Sequence, residues 1–119
     1  MDEKNSYAHS DVMGEVRLAD DVVAYIAGIA ASEVKGVTGV ALNGKKVAAK
    51  SYSRAIRVEM CDKMVSIDLS VIVGYGVGLQ KIGADIQERV RVSVENMTGL
   101  EVSDVNVRIE GIDVAEYKA

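Results

Sequence analysis

Proline, phenylalanine and tryptophan are absent from this 119-residue chain, and it holds one cysteine and one histidine. Each shortage excludes something. Without proline there is no Pro-rich linker and no polyproline ligand. Without phenylalanine or tryptophan the core must be built from branched aliphatics and small residues. The single Cys61 cannot close an intrachain disulfide, and a reducing interior is the simpler expectation. His9 lies in a polar, aperiodic stretch, where nothing would hold a catalytic base in place. No His, Cys, Asp or Glu grouping has metal-ligand spacing, so neither a metal nor a cofactor is expected. The N-terminal stretch has no apolar core of a secretory signal, and no run approaches the roughly 20 apolar residues of a membrane span.

What is present suits one domain with a real core. A polar tail over 1–13, a single domain over 14–112 and a short tail over 113–119 are expected. The formal charge is -4, so global charge favours neither nucleic acid nor anionic lipid. The distribution is uneven. Lys45, Lys46, Lys50, Arg54 and Arg57 fall between Asn43 and Arg57 with no acid among them.

Periodicity gives the order of elements. Gly14–Leu18 reads as a short strand. Asp20 or Asp21 then caps a helix whose apolar stripe is Val22, Val23, Ile26, Ile29, Ala30 and Val34. Ala24, Ala27, Gly28 and Ala31 make that helix slim enough for close approach. Gly36–Leu42 reads as a strand, Asn43-Gly44 as a turn, and Lys45–Ser53 as a mobile basic loop. Ala55–Met60 and Val65–Val73 alternate around a tip at Cys61-Asp62-Lys63. Leu79, Ile82, Ile86, Val90, Val94 and Met97 share one face of a second helix, with Gly99 suited to its C-terminal stop. Val105, Val107 and Ile109 mark a last strand. The predicted class is α+β, order β-α-β-β-β-α-β, with a mainly antiparallel sheet and two helices on one face.

Few residues offer chemistry. Cys61 sits beside Asp62, whose charge disfavours a thiolate. Gly74-Tyr75-Gly76-Val77-Gly78 lacks the spacing of either phosphate-binding glycine motif, and a strand-to-helix turn is the better reading. Lys45, Lys46, Lys50, Arg54 and Arg57 are candidate contacts for an anion or nucleic acid, yet Tyr52 is their only aromatic neighbour and a solvated loop is favoured. Asn96-Met97-Thr98 matches a glycosylation triplet but falls at a helix end. Ile72 and Tyr75 lie near the polar strand faces and are candidates for self-association. No nucleophile, base and oxyanion donor assemble, so no enzyme is expected.

Two runs carry a resemblance. Ala31-Ser32-Glu33-Val34-Lys35-Gly36-Val37 and Glu95-Asn96-Met97-Thr98-Gly99-Leu100 are joined by Gly14-Glu15-Val16-Arg17-Leu18-Ala19, Val65-Ser66-Ile67-Asp68-Leu69 and Tyr75-Gly76-Val77. Together they resemble the alkaline shock protein family, the Asp/Gls general stress proteins of Gram-positive bacteria, from Gly14 to about Ile112. Gly78-Leu79-Gln80 departs from it, because many relatives carry a proline there. The resemblance implies a non-enzymatic cytoplasmic protein of stress response and envelope homeostasis. It implies self-association and a separate membrane protein as anchor, and it supplies no catalytic or ligand residues. An RNA-binding module using 45–57 and a regulatory partner of a lipid-metabolism enzyme are the alternatives.

Overall fold

A computed structural model describes residues 18–114. The expected tail over 1–13, His9, the tail beyond 114 and all but Leu18 of the first predicted strand lie outside that range, and Leu18 is in no strand. The elements are α1 (Asp20–Ser32), β1 (Val37–Leu42), β2 (Lys45–Lys46), a 3-10 turn (Ala49–Ser51), α2 (Tyr52–Ala55), β3 (Arg57–Cys61), β4 (Met64–Gly74), α3 (Leu79–Thr98) and β5 (Glu101–Asp113).

β4 is the axis of the molecule. Val65, Ile67, Leu69, Val71 and Val73 alternate along it and are all buried. β5 lies parallel along one whole edge, from Met64↔Glu101 to Gly74↔Asp113. This parallel pair follows from α3, which carries the chain back before β5 begins. The other edge is shared by two antiparallel strands. β3 pairs from Cys61↔Met64 to Arg57↔Asp68, and β1 pairs from Val40↔Val71 to Val37↔Val73. The sheet is therefore mostly antiparallel, as its hairpin turns predict.

Both hairpins use two-residue turns with left-handed backbone, Asn43-Gly44 and Asp62-Lys63. Asn and Asp tolerate that region because their short side chains bond locally. Two bulges shift β5. Val65 and Ser66 face Val102 and Asp104, which leaves Ser103 extra, and Glu110 is extra in the same way. The first bulge turns both Val102 and Val105 inward although they are three residues apart.

The helices cover the inner face. Ile82, Ile86, Val90 and Val94 of α3 and Val23, Ala27 and Ala31 of α1 are buried against the β4 row. An Arg89–Glu33 ion pair at 3.0 Å links the two helices at the surface. α3 drifts off its predicted stripe at both ends, since Leu79 and Met97 are exposed. α1 starts one residue before the predicted cap. Ala19 is the N-cap and no side chain caps the helix. Asp20 and Asp21 stand in the first turn instead, where their charge favours the positive end of the helix dipole.

The basic segment is the main correction to the sequence reading. Residues 45–55 form β2, the 3-10 turn and α2 rather than a loop without structure. The reason is Tyr52, only 6% exposed. Its ring occupies the space that a side chain at Gly28 would fill. The slim face of α1 thus receives an aromatic ring from the segment read as a loop.

Candidate interaction face

The outer face of the sheet is free of helices among the described residues. It is built from the outward positions of β3, β4 and β5, which the register sets in rows: Arg57, Asp68 and Asn106; Glu59, Ser66 and Asp104; Ser70 and Arg108; Ile72 and Gly111. The rows are polar and linked by hydrogen bonds. The Asn106 amide donates to Asp68 at 2.6 Å and to Asp104 at 3.0 Å. The hydroxyls of Ser66 and Ser103 also donate to Asp104, at 3.1 and 2.7 Å. Together these donors hold the Asp104 carboxyl below its ordinary range, the Ser103 bond contributing most.

The predicted contact residues separate on this face. Ile72 is only 9% exposed and packs over Gly111, so it offers floor rather than contact area. Tyr75 is 53% exposed at the end of β4. It borders a cleft of about 730 Å³ with Lys35, Thr38, Lys46 and Val77. The glycine run beside it is a strand-to-helix corner. The Gly74 N–H donates to the Gly36 carbonyl at 2.8 Å, the Tyr75 N–H to the Asp113 carbonyl at 3.1 Å, and Gly76 takes the left-handed backbone of the turn.

The five basic residues do not form one patch of free charge. Lys46 crosses over Gly39 and meets Asp113 at 3.4 Å, and Arg57 pairs with Glu59 at 2.7 Å. Lys45, Lys50 and Arg54 have no carboxylate within ion-pair distance among the described residues. Tyr52, the one aromatic that could have stacked on a base, is buried against α1.

Sequence reading passed over two features that shape this face. Arg108 stands opposite Ser70 as an exposed cation without an acidic partner among the described residues. The edge of β5 is trimmed by α3: Glu95 accepts the Val102 N–H at 3.0 Å, and Gln87 donates to the Val105 carbonyl at 3.0 Å. Such caps discourage edge-to-edge pairing of β5. Glu95 in a helical pattern carried no signal of that role.

No group of three or more His, Cys, Asp or Glu side chains among the described residues could hold a metal. No described helix is long and apolar enough to cross a membrane. Cys61 is exposed at the end of β3.

A single open sheet face opposite a helical layer defines a small α+β domain with a surface to offer and no assembled catalytic group among the described residues. Residues 8–114 match the model of the alkaline shock protein 23 family, described as having a cell envelope-related function, and the chain belongs to that family. It is 37% identical over 113 residues to the uncharacterised protein YqhY of Bacillus subtilis, covering 87% of this chain and 82% of that one. It is 31% identical over 113 residues to a stress response regulator gls24 homologue of Streptococcus pyogenes, covering 90% of this chain and 63% of that longer protein. Among solved structures it is similar to the MamM CTD, with a TM-score of 0.52 at 18% identity, covering 78% of this chain and 99% of that one. That last likeness is one of fold.

Proposed function

We propose that this chain is a non-enzymatic adaptor of the cell envelope. It assembles with copies of itself through the open sheet face, and a membrane-anchored partner protein recruits it from the cytoplasm. The observation that carries this reading is the one-sided sheet. Helices bury its inner face, while the outer face ends in the exposed Tyr75 above the buried Ile72. Family membership supports the envelope role, and the lack of a candidate membrane span among the described residues fits recruitment through a partner. Tyr75, with Ile72 as its floor, is the proposed contact.

The experiment is cross-linking in intact cells at native abundance, followed by membrane fractionation. The expected result is a ladder of multiples of the 12.7 kDa chain, part of it pelleting with membranes. A protein that cross-links to nothing and stays wholly in the soluble fraction would overturn the adaptor reading. The nucleic-acid alternative is weaker, because the burial of Tyr52 removes its stacking platform and two of the five cations are already paired. A role beside a lipid-metabolism enzyme has no specific residue in its favour.

A further inference from the structure

The two strands that share one edge of β4 do not meet. β3 pairs only as far as Asp68, and β1 begins at Val71, so Leu69 and Ser70 have no partner on that edge. A cleft of about 490 Å³ opens at this gap on the outer face. Arg57, Asp68, Ser70, Asn106 and Arg108 line it.

The distribution of partners around the cleft is one-sided. Its acids are satisfied by neutral donors. Asp68 takes the Asn106 amide, and Asp104 takes Asn106, Ser66 and Ser103. Glu110 takes the Gly44 N–H at 3.0 Å. None of them neutralises an arginine of the cleft. Arg57 is held by Glu59, two residues along its own exposed strand. Arg108 has no acidic partner among the described residues. Two guanidinium groups thus flank one cleft from opposite sides of β4, with the Ser70 hydroxyl on the strand between them.

We infer that this cleft binds a single oxyanion group, a phosphoryl or carboxylate of a small molecule, between Arg57 and Arg108. The planar guanidinium fork matches the oxygens of either group. Ser70 supplies a further donor. The Asp68 carboxylate in the same cleft repels an extended polyanion and favours a ligand with a hydroxyl or ammonium beside its oxyanion. The site is invisible in the basic segment 45–57, because only one of those five cations reaches it and its companion comes from the last strand. The inference goes beyond the adaptor reading, and its test reads the cleft whether or not copies assemble.

The test is an NMR titration of the full chain with inorganic phosphate and, separately, with acetate, each against sodium chloride of matched ionic strength. The expected result is saturable movement of the Ser70 amide and of the Arg57 and Arg108 Nε–H signals, with a Kd of about 1 mM or tighter. The oxyanion that saturates at the lower concentration identifies the ligand's group. R108Q and R57Q should each weaken binding about tenfold, while K50Q leaves it unchanged. Both arginines are exposed, so their replacement is not expected to unfold the chain. Movement that never saturates and spreads over Lys45, Lys50 and Arg54, or binding that R108Q does not weaken, would overturn the proposal.

Discussion

Asp104 shows how one side chain on the open face is held. Three neutral donors converge on a carboxylate that remains exposed, and they favour its ionised form. Its pKa in the folded chain therefore lies below its unfolded value. The stability it contributes is fully present above the ordinary carboxylate range and is lost as the pH falls through the lower folded value. Asp104→Asn should be less stable than the parent chain at pH 7, and the gap should close as the pH falls below about 4. Urea melts at several pH values measure this. A gap that stays constant with pH would mean that the hydrogen bonds, rather than the charge, set the effect. Gly28 is a second single-residue case. A methyl group there meets the Tyr52 ring, so Gly28→Ala should cost about 1–3 kcal/mol through overpacking. It should also release the segment around Tyr52, read as faster amide exchange across Ala49–Ala55.

At the scale of elements, the strongest periods in the sequence became the helices and strands they predicted. The β4 row and the α3 stripe lie where alternation and steps of three and four place them, because burial on one face is what those periods encode. Ile86 is fully buried at the centre of α3, and Ile86→Ala should cost about 2–5 kcal/mol in a denaturant melt. A cost near zero would mean that α3 does not pack as described. The Glu95–Leu100 run is equally legible now that its geometry is known. Thr98 Oγ1 donates to the Val94 carbonyl at 2.6 Å and accepts the Leu100 N–H at 3.1 Å, while Glu95 caps Val102. Gly99 closes the helix with φ 77°, its N–H on the Glu95 carbonyl at 2.9 Å. The motif that most marks the resemblance is thus a helix-to-strand corner. Gly99→Ala should cost about 1–2 kcal/mol for forcing a side chain into left-handed backbone.

Other elements were not legible. The basic segment looked like a loop because Val47, Tyr52 and Ile56 are too sparse to show a period, and its order comes from a ring docking on a distant glycine. The bulge at Ser103 breaks the alternation of β5, so period two alone could not show that Val102 also faces the core. The candidate face depended still more on tertiary structure. Tyr75 was readable as a residue beside a polar strand face. That Ile72 is covered, that Lys46 and Arg57 are already paired, and that Arg108 joins Arg57 across β4 are consequences of register.

The whole molecule is a sheet with one dry face and one wet one. Its helical layer closes the core, and α3 side chains trim part of the edge of β5. The open face and the exposed Tyr75 are then the surface left for assembly. Exposed apolar groups on the helical side, such as Met97, provide the contrast. The most direct measurement is the mass in solution by light scattering from low to high micromolar, for the parent chain, Tyr75→Glu and Met97→Glu. Assembly through the sheet face predicts a mass that rises with concentration above 12.7 kDa in the parent and in Met97→Glu, and a monomer in Tyr75→Glu. A parent chain that stays monomeric throughout, or a Tyr75→Glu chain that assembles as the parent does, would contradict it.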